Sequence, residues 1–250
     1  MANPALRLVR PPSLVEAAVA RLTDAIVSGE FKAGQRLVEI DLAAMLGISR
    51  APLREALRTL SKDGLVEMRR GRGAVVASPT DDDVEHMILF RALVEGAAAR
   101  LIAFHHDKRV LSHLTEILGQ LEETSARGRH DTFLKHVWNF HGVLCAESGN
   151  PFLAQAWGIA GNVTRLYLQR AVSRIDLAAA LSNHCAIHRA VCTMQPAEAE
   201  SMVRSLIIRL AYELLGREIP QSIGDYVNPR YKVASTTGGE PKPAKRRARS

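Results

Sequence analysis

Five of the six arginines within the stretch from Leu37 to Val76 have the types and spacing to bind a polyanion. Arg50, Arg54 and Arg58 recur every fourth residue, which puts their guanidinium groups on one face of a helix. Leu53, Ala56, Leu57 and Leu60 fall at helical spacing on the opposite face and are committed to packing. Arg70 and Arg72 alternate with Gly71 and Gly73 between two strand-like runs, Leu65 to Arg69 and Ala74 to Ala77. Glycine removes the side chain that would block a backbone from a phosphate chain, so an arginine-studded glycine tip suits close approach to one.

The elements that must position these groups are two short helices, a tight turn and a hairpin. Leu42, Ala43 and Leu46 make the inner stripe of the first helix, Gly47 supplies the turn, and Ser49 is a natural N-cap for a helix from Arg50 to about Asp63. Ahead of them Ser13-Leu14-Val15-Glu16 reads as a capping box, opening a helix that ends near Gly29. Its stripe of Leu14, Ala18, Leu22, Ala25 and Ile26 would pack beneath the arginine-bearing helix, and "FKAGQRL" reads as a connecting loop. Together these parts read as a winged helix-turn-helix. Its second helix would lie in the DNA major groove with its N-terminal residues at the base edges. The plainer alternative is a small helical domain with a solvated basic face.

Charge divides along the chain in the same sense. Residues 1–79 hold 12 Lys+Arg against 8 Asp+Glu, residues 80–215 hold 13 against 15, and residues 216–250 hold 8 against 3. Positive charge therefore gathers at the two ends. Residues 1–12 read as a flexible arm with Arg7 and Arg10 as DNA-backbone contacts, and residues 13–79 as the DNA-binding domain. Pro79-Thr80-Asp81-Asp82-Asp83 marks a boundary, with Thr80 as a cap and the aspartates at the positive end of a helix dipole. Residues 80–215 then read as an all-helical effector-binding and dimerisation domain, with helices near 81–105, 108–127, 131–148, 151–172, 177–194 and 196–215. Residues 216–250 read as a disordered basic tail in which Lys242, Lys245, Arg246, Arg247 and Arg249 either add non-specific DNA affinity or are simply solvated. The expected fold class is mainly α, a winged helix-turn-helix followed by an all-α bundle.

No apolar run reaches the ~18 residues of a membrane span, and the N-terminus lacks a secretory apolar stretch, so a cytoplasmic protein with no membrane partner is expected. Cys145, Cys185 and Cys192 are too few for a disulfide framework, form no CxxC pair, and read as buried free thiols.

"LAAMLGISRAPLREALRTLSKDGLV" followed by "RRGRGAVV" resembles the DNA-binding domain of the GntR family of bacterial transcriptional regulators, over about Ser13 to Pro79. By this resemblance Arg50 and Arg54 are the base or phosphate contacts, and Arg70 and Gly71 lie at the wing position that enters the minor groove; Ser49, Arg58 and Arg72, read from their own positions beside them, complete the expected DNA-binding set. An arginine on the first motif helix that also contacts DNA in the fatty-acid-responsive branch is Ile40 here.

"LFRALVEGAAARLIA", "FHGVLCAESGNPFL" and "SNHCAIHRAV" resemble the FCD effector domain of the FadR-type branch, over roughly residues 85–212. In many members that domain holds a divalent metal through an Asp, a His four residues later and two further histidines, and the metal with nearby arginines binds a carboxylate. By this resemblance His141 and His184 match two ligands, while Val137 and Leu206 stand at the other two. Valine and leucine cannot coordinate a metal, so a metal-free and more apolar pocket is expected. A rearranged ligand set drawing on His184, His188, His136 and Asn139 around His141 is the alternative, against histidines that are simply hydrogen-bonded core or surface groups.

Arg91 stands four residues before Glu95 amid Leu89, Leu93 and Val94. On an inner face it needs an anionic partner, either Glu95 or a ligand carboxylate; the alternative is a plain surface pair. Arg165, after Asn162, is a second arginine suited to clamp an anion, and Trp138, Phe140, Trp157 and Tyr167 read as core or pocket lining. The expected function is a ligand-responsive transcriptional regulator, a repressor that binds a palindromic double-stranded operator as a homodimer. Its expected effector is a small organic acid or acyl compound, held by Arg91, His141, Arg165 and His184. The alternatives are an architectural DNA-binding protein whose bundle only dimerises, and a metal-dependent all-α enzyme.

Overall fold

The computed structural model describes residues 12–168 and 175–230. The chain divides between Ser78 and Pro79 into two compact units.

In the first unit α1 (Leu14–Val27) opens with a closed capping box, the Ser13 amide donating to Glu16 Oε2 at 2.7 Å and the Glu16 amide to Ser13 Oγ at 3.2 Å. Ala18, Leu22, Ala25 and Ile26 are buried, whereas Leu14, expected on the same stripe, is 63% exposed at the helix start. Next come α2 (Glu39–Leu46) and α3 (Arg50–Lys62), with Gly47 between them at φ +64°. That left-handed conformation suits a residue without Cβ. α1 packs on α3, whose Leu53, Ala56, Leu57 and Leu60 are fully buried.

The wing is a three-stranded antiparallel sheet in the order β1-β3-β2 rather than a two-stranded hairpin. β2 (Val66–Arg69) pairs with β3 (Gly73–Val76), and β1 (Arg36–Leu37) adds to the other edge with Leu37 opposite Ala74. β1 lies inside the expected loop. Two residues are too few to show strand alternation, and only pairing with β3 makes them a strand.

The second unit is helical: α4 (Asp81–His105), α5 (Lys108–Ala126), α6 (His130–Ala146), α7 (Pro151–Leu168), α8 (Leu177–Cys192), α9 (Pro196–Leu215) and the short α10 (Gln221–Gly224). A capping box between Thr80 and Asp83 starts α4. Its Ala92, Ala98 and Ala99 are buried in a core shared with Phe140 and Leu144 of α6 and Val203, Ile208 and Tyr212 of α9. α4 and α9 approach closely at Gly96, where a Cβ would come within 2.8 Å of Arg204 Cγ and 3.2 Å of the Glu200 carbonyl. A smaller core joins Leu121, Phe133, Ile175, Leu177 and Ala180.

The expected start of a disordered tail at 216 does not hold for residues 217–230. Ile219, Ile223, Tyr226 and Val227 pack against the main core, and the Asn228 amide donates to Ser205 Oγ at 3.1 Å. Arg217 pairs with Asp82 at 2.9 Å and with Glu85, strapping this segment to the first turns of α4. Four apolar residues among polar ones give a weak signal in sequence but suffice once the bundle offers a groove. The basic cluster from Lys242 to Arg249, the arm bearing Arg7 and Arg10, and the expected 169–172 end of the fourth bundle helix lie outside the described residues. Of the three cysteines only Cys145 is buried; Cys185 and Cys192 are half-buried.

Candidate functional site

α3 displays the first candidate surface. With its leucines buried, Arg50, Arg54 and Arg58 stand out from the opposite face, their side chains 56%, 53% and 66% exposed. Glu39, the first residue of α2, reaches across to α3 and accepts from Arg54 Nε at 2.8 Å and Arg50 Nη2 at 3.3 Å. The hydrogen bond from Arg54 holds the Glu39 carboxyl below the usual carboxylate range, with Arg50 adding to it. One carboxylate thus restrains two guanidinium groups. Glu39 was missed in the sequence because its partners lie 11 and 15 residues away on another helix. Arg58 pairs within α3 with Glu55 at 2.7 Å. Ser49 occupies the N-cap position, but its side chain makes no capping hydrogen bond, contrary to the capping role expected of it. Arg70, Gly71 and Arg72 are all exposed at the tip between β2 and β3, where Gly71 (φ +76°) and Gly73 (φ +73°) take conformations that favour glycine.

The second candidate site lies in the bundle, a cavity of about 60 Å³. Arg91, His141 and His184 line it beside Trp138, Val137 and Leu206. Arg91 is buried, so the surface-pair alternative fails: Nε lies 2.5 Å from Glu95 Oε1 and Nη2 lies 3.3 Å from Oε2. Its guanidinium sits 5.0 Å from the centre of the Trp138 ring, a cation–π contact. Glu95 is completely buried and also accepts from Trp157 Nε1 at 3.0 Å. Nδ1 of His141 lies 2.6 Å from Glu95 Oε2, an ion-pair distance, although its N–H is off the line of a straight hydrogen bond. Burial alone would push the Glu95 carboxyl up, but the charges and hydrogen bonds of Arg91 and His141 outweigh it and hold it at about 2.

The two histidines face one another with their Nε2 atoms 3.3 Å apart. His184 Nδ1 lies 2.7 Å from the Ala180 carbonyl, an acceptor only, so the proton sits on Nδ1 and Nε2 carries the lone pair. His141 therefore presents an N–H from Nε2. Burial, then the charge of His141, pushes His184 down to about 3 and keeps it neutral. Phe140 stacks edge-on against both imidazoles.

The residues do not fit a divalent metal. Val137 and Leu206 both line the cavity, so the two apolar positions stand where additional ligands would be needed. The rearranged set does not assemble either. His188 turns away to Thr115 Oγ1 at 2.9 Å, His136 is half-buried, Asn139 is exposed, and among the described residues no group of three His, Cys, Asp or Glu could hold an ion. Arg165 is half-buried and is not among the residues lining the cavity, although the adjacent Thr164 is. All four aromatics fall in the core or the pocket lining as expected: Trp138 and Tyr167 line the cavity, Phe140 belongs to the core, and Trp157 packs against that core and donates to Glu95.

A family model described as bacterial regulatory proteins, gntR family, matches residues 14–76, and one for the FCD domain matches residues 86–209. The chain is 32% identical over 178 residues to the protein named "Probable D-xylose utilization operon transcriptional repressor" of Paenarthrobacter nicotinovorans, covering 70% of this chain and 77% of that one. It is 34% identical over 134 residues to the HTH-type transcriptional regulator YdhC of Bacillus subtilis; that match covers 53% of this chain and 60% of the relative's length. The crystal structure of a GntR transcriptional regulator from Rhodococcus sp. RHA1 superposes with a TM-score of 0.71 at 25% identity, covering 83% of this chain and all of that one.

Proposed function

This chain belongs to the GntR family of bacterial transcriptional regulators, its DNA-binding module followed by an FCD domain, and we propose that it is a cytoplasmic repressor binding a palindromic operator as a homodimer. The observation that carries the DNA-binding part is the exposed arginine face of α3, with Arg50 and Arg54 brought side by side by Glu39. Arg50 and Arg54 meet base edges or phosphates in the major groove, Ser49 and Arg58 flank them, and Arg70, Gly71 and Arg72 approach the backbone and minor groove. The repressor assignment is supported by the name of the Paenarthrobacter relative. Dimerisation is supported by one stripe of α4 on which Phe90, Leu93 and Phe104 are 44%, 40% and 69% exposed, an apolar face suited to a second copy. No described helix is long and apolar enough to cross a membrane.

The bundle cavity takes a small organic acid, and its occupancy biases the DNA modules through the Pro79 linker. A cavity of about 60 Å³ favours a short acid over an acyl chain. Selection of binding sites from random double-stranded DNA by the full chain tests the reading. An inverted repeat recovered by a species with the mass of a dimer is the expected result. Recovery of no preferred sequence would leave an architectural DNA-binding protein.

A further inference from the structure

Glu39 and Arg54 are both left able to bond further, which bears on the operator-binding reading above, on which this inference rests. The two hydrogen bonds that Glu39 accepts both fall on Oε2, from Arg54 Nε and Arg50 Nη2; among the described residues Oε1 has no partner. The Glu39 side chain is 25% exposed, enough for a donor from outside the protein to reach it. Arg54 is bonded among the described residues through Nε alone, which leaves Nη1 and Nη2 to donate as a fork. A carboxylate only accepts and a guanidinium only donates. The pair therefore offers two donors beside one acceptor, on the helix whose N-terminal half faces the base edges.

A G·C base pair offers the complementary set in the major groove: guanine N7 and O6 accept, and the cytosine N4 amino group donates. O6 and N4 are hydrogen-bonded to each other within the base pair, about 2.9 Å apart. Arg54 Nε and Glu39 Oε2 are 2.8 Å apart, so the two sets share one scale. We propose that Arg54 and Glu39 read one G·C pair of each half-site as a unit, Arg54 Nη1 and Nη2 on guanine and Glu39 Oε1 on cytosine N4. Glu39 is then a specificity-determining residue. An A·T or C·G pair in that place sets an amino group against the guanidinium and an acceptor against the carboxylate. A T·A pair keeps an amino group for Glu39 but offers Arg54 one acceptor instead of two.

The full chain and its Glu39→Ala and Arg54→Ala variants, with folding checked by circular dichroism, are titrated with the duplex recovered by selection. Each cytosine of the half-site is replaced in turn by N4-methylcytosine, which still pairs with guanine but loses its major-groove N–H. Each guanine is replaced by 7-deazaguanine, which loses the N7 acceptor. At one base pair, N4-methylcytosine should weaken the parent by at least about tenfold and Glu39→Ala by less than about twofold. In the same base pair, 7-deazaguanine should weaken the parent and leave Arg54→Ala unchanged. A parent indifferent to N4-methylcytosine at every position would overturn the cytosine contact while operator binding stands, and this arm decides even if Glu39→Ala does not fold. Sensitivity to N4-methylcytosine that persists undiminished in Glu39→Ala would overturn it too. Loss of 7-deazaguanine sensitivity in Glu39→Ala, with the parent indifferent to N4-methylcytosine, would reduce Glu39 to a positioning residue for Arg54. Selection that recovers no preferred sequence would overturn the operator reading and the paired readout with it.

Discussion

Oε2 of Glu39 sits 2.8 Å from Nε of Arg54, so a guanidinium proposed to contact DNA is held by a carboxylate from the neighbouring helix. The same oxygen lies 3.3 Å from Arg50, which orders both arginines while taking up part of the positive charge they present.

Replacing Arg54 with Ala should weaken binding to the selected operator by about 1–3 kcal/mol, the range for a side chain that reads a base. Glu39→Gln should act in the other direction on unselected DNA. Freeing the two arginines should raise that affinity by up to about fivefold at low salt, matching the ~1 kcal/mol an exposed ion pair is worth. Fluorescence anisotropy with selected and scrambled duplexes separates the effects. Equal affinity of Arg54→Ala and the parent for the operator would remove Arg54 from the contact surface.

At the wing tip, Arg70→Ala and Arg72→Ala should weaken binding to all duplexes alike. Each should lower the slope of log affinity against log salt by about 1, as loss of one phosphate contact does. A change confined to one base position would instead make that arginine a base reader.

Removing the Glu95 carboxylate leaves the Arg91 guanidinium buried without its counter-ion and takes away the group 2.6 Å from His141 Nδ1. Glu95→Ala should therefore destabilise the helical unit by about 3–5 kcal/mol. Chemical unfolding followed by circular dichroism measures it. A loss below about 1 kcal/mol would show that water reaches the pair.

Tyr212 is 1% exposed, and its hydroxyl donates to Glu85 at 2.9 Å. Burial first, then Glu85, raises its pKa from 10.0 to about 12. A group whose folded pKa is raised stabilises fully below its unfolded value and loses that contribution as pH climbs through the folded one. The chain should keep this contribution up to about pH 10 and lose it between 10 and about 12. Tyr212→Phe should cost about 1–2 kcal/mol at neutral pH and flatten that alkaline decline in a pH series of thermal melts.

What the sequence determined by itself was local. The spacing of Leu53, Ala56, Leu57 and Leu60 committed one face of α3 to the core and so turned the arginines outward, because helical periodicity is a property of neighbours in the chain. Caps at Ser13 and Thr80 marked two helix starts for the same reason. Tertiary structure alone decided which polar groups meet across different helices. Glu39 and Arg54 are 15 residues apart, His141 and His184 are 43 apart, and Trp157 reaches Glu95 across 62. Packing set those distances, and it also made a strand of Arg36–Leu37 and a strap of residues 217–230. Arg91 finds its counter-ion one turn along its own helix, but the other groups that satisfy the buried Glu95 carboxylate come from distant parts of the chain, because a buried charge is stable only where the fold surrounds it with partners.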